Sequence, residues 1–203
     1  LRDVAPGDRL SELTFEFPLA GGDAARRDDA PVTLDRLVPL LRRHLGADDP
    51  LAAYPDALAD PALGGQALRG YLTGSIDAVL RLPGPDGPRF TVVDYKTNWL
   101  GPDTAALLTT AHYDPDATAA AMIGAHYPLQ ALIYAVALHR YLRWRLPGYE
   151  PQRHLGGVLY LFVRGMCGPD TPQRDGVPAG VFSWRPPAAL VVELSELLAG
   201  EPR

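Results

Sequence analysis

A single cysteine, Cys167, stands among the 203 residues, which excludes an internal disulfide and a cysteine-rich zinc or iron–sulfur site within the chain. No apolar run approaches the roughly 18 residues that a membrane-spanning helix needs. A Gly-x4-Gly-Lys-Ser/Thr loop is missing, so the chain cannot itself drive ATP-dependent unwinding. There is no Gly-x-Ser-x-Gly elbow, and the five histidines show no paired ligand spacing on a helix face. Positive charge is in deficit too: the net charge of -5 gives no global footprint for nucleic acid, so DNA contact has to come from a local basic patch and bound cations. Lysine and asparagine occur once each, as Lys96 and Asn98, and every other Lys+Arg cation is arginine.

What remains is the composition of a soluble globular protein, 47% hydrophobic and 21% charged. The length suits a single domain over residues 1–203, with a helical insertion at about 33–65 that is too short to bury a core of its own. Leu1-Arg2-Asp3-Val4 has neither an initiator Met nor a signal pattern, as expected for a processed product or part of a longer polypeptide. One cysteine and no membrane segment fit a reducing, cytoplasmic setting.

In chain order, Leu13, Phe15 and Phe17 alternate with Glu12, Thr14 and Glu16, predicting a half-buried strand that Pro18 ends. Residues 21–29 read as a charged loop. Leu34, Leu37, Val38 and Leu41 predict an amphipathic helix with Thr33 as N-cap, followed by a short helix near residues 50–58. Residues 69–82 and 89–96 predict two strands joined by the turn cluster Pro83-Gly84-Pro85-Asp86-Gly87-Pro88, with Gly70 and Gly74 marking bulges or a close approach. A loop with His112 and Asp116 leads to an Ala-rich helix from Ala117, and Pro128 opens another that runs to Leu146. Gln130 and Tyr134, four apart, share a face of it. Arg140, Arg143 and Arg145 form a solvated basic end. Residues 156–165 predict a central strand buried on both faces, 181–184 a short strand, and 187–199 a last helix.

The hairpin carries the chemistry. Its turn cluster is centred between Pro85 and Asp86, and so is the interval from Asp77 to Asp94; a regular hairpin sets those two carboxylates opposite one another, and period two adds Lys96 to the face. A bulge would break that register. Two carboxylates and an ammonium fit a site for a hard divalent cation acting on a phosphodiester, with the lysine stabilising developing charge or holding the attacking water. The plain structural alternative is an Asp-Lys-Asp network that only offsets its own charges.

These residues stand in a longer series: Gly74-Ser75-Ile76-Asp77, then Val93-Asp94-Tyr95-Lys96-Thr97-Asn98-Trp99-Leu100-Gly101, then Tyr127-Pro128-Leu129-Gln130-Ala131-Leu132-Ile133-Tyr134 with Leu138-His139-Arg140-Tyr141-Leu142, then Gly156-Gly157-Val158-Leu159-Tyr160-Leu161-Phe162-Val163-Arg164-Gly165. Four blocks in this order resemble the C-terminal nuclease domain of the RecB family, the beta subunit of exodeoxyribonuclease V, within the PD-(D/E)XK superfamily. The resemblance implies an α/β, restriction-endonuclease-like central mixed sheet flanked by helices. It implies Asp77, Asp94 and Lys96 as catalytic residues, with Mg2+ (or Mn2+ or Ca2+ in its place) on Asp77, Asp94 and the backbone carbonyl of Tyr95. Gln130 and Tyr134 match a Gln-x-x-x-Tyr motif placed near the DNA. The implied function is a Mg2+-dependent DNA exonuclease domain of a helicase-nuclease in double-strand break repair and recombination, with RecC-like and RecD-like subunits as partners. The alternative is a non-catalytic relative that binds DNA or docks a subunit. One departure stands out: the first core helix of the family, which supplies a histidine ligand, is expected to be missing, and His44 does not match that motif's context. The chain alone is therefore expected to bind Mg2+ weakly and cleave poorly.

Overall fold

The hairpin lies at the middle of a five-stranded sheet. The computed structural model describes residues 3–20, 32–64, 67–103 and 107–200. Strand β1 (Arg9–Pro18) pairs antiparallel with β2 (Tyr71–Gly84), which returns antiparallel as β3 (Gly87–Lys96) through the two-residue turn Pro85-Asp86. The pairs from Gly84↔Gly87 to Ala78↔Val93 share the centre that the sequence predicts, between Pro85 and Asp86. Gly87, at φ +125, takes a turn conformation closed to residues with a Cβ. Gly74 is a close approach: a Cβ there would meet the Phe15 ring at 2.6 Å.

Strand β4 (Leu155–Phe162) runs parallel to β3, and β5 (Val181–Trp184) is antiparallel to β4, giving the mixed order β1-β2-β3-β4-β5. The predicted central strand is therefore β4, one place from the edge, and β3 takes the centre. Local apolar pattern reports burial on both faces and not rank within a sheet. A parallel pair needs a long crossover, and residues 97–154 supply one. After α1 (Leu37–His44), the two long helices of this crossover are α2 (Pro115–Gly124) and α3 (Tyr127–Arg145). Asp114 caps α2, accepting the Ala117 N–H at 2.8 Å, so the helix starts ahead of the expected Ala117 and includes Asp116. His126, in the left-handed region at φ +53, separates α2 from α3, and Pro128 sits in the first turn of α3 as predicted. The two helices meet at 83°, and no single described helix is long and apolar enough to cross a membrane.

One sheet face packs under α3 and the last helix, α4 (Ala188–Ala199), through Val79, Val92, Val158, Leu132, Val136 and Leu190. Ala78, Leu80, Val93 and Leu161 form a smaller cluster on the other face. Leu37, Leu41, Leu51, Tyr54 and Leu58 join the large core, placing α1 and the short helix Tyr54–Leu58 against the same body. Two expectations change in detail. Thr33 makes no side-chain cap, because a 3-10 turn, Leu34–Arg36, runs straight into α1. Arg140 is not merely solvated: its guanidinium donates to Ser195 Oγ at 2.9 Å and to the Ser195 carbonyl at 2.7 Å, and lies 4.3 Å over the Phe17 ring, tying α3 to α4 and β1. The expected charged loop at residues 21–29 lies outside the described residues.

Inside α3, His139 is buried with its Nδ1 2.9 Å from the Tyr149 hydroxyl. Burial, then the charges of Arg143 and Arg140, lower its pKa to about 4. The unfolded chain takes up that proton near pH 6.5, so between those values the unfolded state holds more protons and stability rises as pH rises. The contribution is complete above about pH 6.5 and is lost as pH drops towards 4. Urea titrations at pH 7.5 and 4.5 are expected to show a loss roughly 2 kcal/mol larger in the wild type than in His139→Gln, after allowance for solvent screening.

Candidate active site

Asp94 and Lys96 stand two residues apart on β3 and so share its helix-side face. The pairing with β4 sets Tyr160 beside Asp94 and Phe162 beside Lys96. Above this face run the first two turns of α3, where Gln130 and Tyr134 project side by side. The groups are joined. Lys96 Nζ lies 2.7 Å from Asp94 Oδ2 and donates to Gln130 Oε1 at 2.9 Å. The same Gln130 oxygen accepts from the Tyr160 hydroxyl at 3.1 Å, while Gln130 Nε2 donates to the Tyr134 hydroxyl at 3.0 Å. The ammonium sits 4.1 Å over the Tyr127 ring and 5.2 Å from the centre of the Tyr160 ring, and these two rings stack. A lysine side chain 12% exposed is thus enclosed by one carboxylate, one amide oxygen and two aromatic faces.

Asp77 completes the group. The β2–β3 ladder ends at Ala78↔Val93, one pair short of Asp77 opposite Asp94. Like charges directly opposed on neighbouring strands repel, and the two carboxylates are held apart by different partners: Asp94 by Lys96, and Asp77 by the Tyr95 N–H, which its Oδ2 accepts at 2.9 Å. In an extended strand a residue's N–H and C=O point to the same edge. The Tyr95 carbonyl therefore faces the side of β3 on which Asp77 lies.

The electrostatics follow from burial. Asp94 is 3% exposed, and its pKa is raised by desolvation, an effect that Lys96 opposes and the Asp77 charge reinforces. Its Oδ2 receives no hydrogen bond of good geometry beyond the ion pair with Lys96. Burial and the charges of Asp94 and Asp77 push the Tyr134 hydroxyl up to about 12, and burial raises Tyr160 further. Both phenols therefore stay protonated at neutral pH. Since Tyr134 accepts from Gln130, its own proton is left for an acceptor in the site.

Asp77, Asp94 and the Tyr95 carbonyl are hard oxygen donors, and a buried carboxylate oxygen short of hydrogen bonds is what a hard cation satisfies. The donor set fits a Mg2+-like ion held by two carboxylates, with remaining positions open to substrate and water. Among the described residues no group of three or more His, Cys, Asp or Glu side chains is placed to hold a metal.

Three contributors escaped the sequence reading. Tyr127 and Tyr160 form the aromatic cage of Lys96, and Asn98 fixes Tyr127 by accepting its hydroxyl at 3.1 Å. The available signals were a tyrosine inside an apolar strand, a tyrosine just ahead of a helix-opening proline, and the lone asparagine two residues beyond Lys96.

No protein-family model matches the chain. It is 59% identical over 201 residues to the RecBCD enzyme subunit RecB of Mycolicibacterium smegmatis, covering 99% of this chain and 18% of that protein. It is 59% identical over 198 residues to the RecB subunit of Mycobacterium tuberculosis, covering 98% of this chain and 17% of the relative. Against RecB of Escherichia coli it is 39% identical over 200 residues, 98% of this chain and 14% of that one. The chain thus spans less than a fifth of the length of the curated relatives it matches, and matches them almost from end to end. Aligned over nearly its whole length at such identity, it belongs to the RecB family as the counterpart of one segment of those subunits.

Proposed function

We propose that this chain is the nuclease domain of a RecB-type helicase-nuclease, of the PD-(D/E)XK type, which hydrolyses DNA phosphodiester bonds with Mg2+. In this reading it is a cytoplasmic exonuclease of double-strand break repair and recombination, working with RecC-like and RecD-like subunits. The observation that carries the reading is the enclosed Lys96, clamped between Asp94 and Gln130 with Asp77 alongside. A network that merely offset surface charge would not bury its ammonium among two tyrosine rings and an amide. The names of the relatives, subunits of a RecBCD enzyme, agree with it.

Asp77, Asp94 and the Tyr95 carbonyl hold the cation, which when bound supplies Lewis-acid polarisation of a phosphoryl oxygen. The chain's own groups do the rest. Lys96, held by Asp94 and Gln130 before the substrate arrives, presents its ammonium where negative charge develops on the phosphate, so no reorganisation is needed at the moment of reaction. Gln130 fixes Lys96 and Tyr134 together, with one amide end for each. Tyr134 stays protonated, and its O–H donates a hydrogen bond to an oxygen of the bound strand.

With two carboxylates and no further acidic or histidine ligand at hand among the described residues, the isolated chain is expected to bind Mg2+ weakly and to cleave DNA poorly. Titration calorimetry with Mg2+ and Mn2+ checks this, and tight binding of either ion would count against it. DNA degradation by the full-length, assembled protein should be lost on chelation and restored by Mg2+. Degradation that persists in chelator would sink the metal-dependent reading.

A further inference from the structure

The two parallel strands end together at the candidate site. Lys96, the last residue of β3, pairs with Phe162, the last of β4, and in open α/β sheets ligands bind outside such carboxyl ends. Beyond Phe162 the chain makes a 3-10 turn, Val163–Gly165. Its Arg164 is exposed and donates through Nε, at 2.8 Å, to the carbonyl of Thr97, the residue that follows Lys96. The turn itself is fixed. The Phe162 N–H donates to the Gly180 carbonyl at 2.7 Å, and Gly165 packs on Tyr113 too closely for a side chain. A guanidinium carries five N–H donors, of which Nε is one. The other four, on Nη1 and Nη2, have no partner among the described residues, where Arg164 makes no ion pair either. Other forks in the chain are spent at both ends: Arg174 on Asp114 and Asp116, Arg140 on Ser195, and Arg185 on the carbonyls of Leu155 and Gln152. Val163 and Met166, flanking Arg164, and Tyr95 on β3 are exposed apolar side chains.

We infer that Arg164 is a phosphate seat: its Nη fork binds a backbone phosphate of the DNA strand beside the one presented to Lys96, and so holds the strand in register across the site. A guanidinium fork matches two phosphate oxygens in bidentate geometry. Tethered already through Nε to the Thr97 carbonyl, this one has less side-chain freedom to lose on binding. Its place relative to Lys96 is set by the strand end that both share. A DNA strand also offers sugar and base faces beside each phosphate, which suits the exposed Tyr95, Val163 and Met166. Arg164 holds the strand and does no chemistry. The assignment rests on the nuclease reading of Asp94 and Lys96.

Fluorescence anisotropy of the chain with a labelled single-stranded oligonucleotide, in chelator and across a salt series, tests this without cleavage. For single strands the slope of log K against log salt is about −0.7 per phosphate neutralised. Arg164→Gln removes the charge and keeps an amide donor for the Thr97 carbonyl. It should make the slope shallower by about 0.7 and weaken binding about tenfold at low salt. Arg164→Lys should keep the slope and weaken binding about threefold, since a point charge replaces the fork. Arg145→Gln, the same charge change at the far end of α3, should move the slope by no more than about 0.2. When the assembled full-length protein degrades the same oligonucleotide, Arg164→Gln should raise KM about tenfold and hold kcat within about threefold, because the contact is made alike in ground and transition states. A brace for the Thr97 carbonyl alone would move kcat through Lys96 and leave the salt slope as it was. An unchanged slope in Arg164→Gln, an equal change in Arg145→Gln, or a wild-type chain with no measurable affinity at low salt would overturn the inference. Asp94→Ala in the degradation assay keeps the two readings apart: if cleavage survives it, the nuclease reading falls, and the salt slope still decides whether Arg164 seats a phosphate.

Discussion

Replacing Lys96 by Met is expected to slow DNA degradation by the full-length, assembled protein by roughly 10²–10³-fold, the range seen when one preorganised group that stabilises transition-state charge is removed. The loss should fall on kcat, with DNA affinity changed only a few-fold, because the ammonium is spent on charge that develops during the reaction. Methionine keeps the apolar stem against Tyr127 and Tyr160, which isolates the charge from the packing. Arginine should not rescue: its planar fork is too wide for a position set by Asp94 at 2.7 Å, Gln130 at 2.9 Å and a ring face at 4.1 Å. Asp94→Ala should lose at least as much activity, and some stability with it, since it strands a buried ammonium. Undiminished degradation in either Lys96→Met or Asp94→Ala would remove the site from the reaction and favour a DNA-binding or subunit-docking role.

The largest loss of stability is expected at Tyr113, away from the chemistry. Its side chain is fully buried, its hydroxyl donates to the Asn98 carbonyl at 2.7 Å, and its own carbonyl accepts the Gly180 N–H at 2.8 Å. Gly165 lies against it so closely that a Cβ there would overlap the Tyr113 Cβ. The residue thus joins the loop after β3, the turn after β4 and the approach to β5. Tyr113→Ala should cost about 3–5 kcal/mol, as large aromatic truncations in cores do. Tyr113→Phe should cost about 1 kcal/mol by leaving the Asn98 carbonyl short of its donor. Urea titration measures both, and a midpoint unmoved by Tyr113→Ala would show that the three segments are not held at this point. Since Asn98 also holds Tyr127, the phenylalanine variant should loosen the ring over Lys96 and reduce activity a few-fold before it affects folding.

Much of this could be read from the chain before any coordinates. The hairpin centre between Pro85 and Asp86 followed from the turn residues, because a strand's period and a turn's chemistry are local. The shared face of Gln130 and Tyr134 followed from helical spacing, and the hydrogen bond between them bears it out. What escaped the reading was long-range or paid for elsewhere. The parallel pairing of β3 with β4, which carries Tyr160 to Asp94, spans the whole crossover, and no local pattern encodes it. Arg140 read as a solvated end, since nothing near it in sequence announces Ser195. Glu12 read as an ordinary outward residue of an alternating strand, whereas its backbone lies in the left-handed region at φ +54, where the β1–β2 pairing skips a place.

The enclosure of Lys96 also makes the site its own reporter. The chain has one lysine, so lysine labelled with 15N places a single side-chain ammonium resonance in the spectrum. That resonance comes from the centre of the candidate site. With the Tyr127 ring 4.1 Å beneath it, the ammonium and its neighbouring methylene should be displaced by ring current, and with 12% exposure its protons should exchange slowly with water. Arrival of a cation at Asp94 or of a phosphate beside Lys96 would then be seen as the movement of one isolated peak.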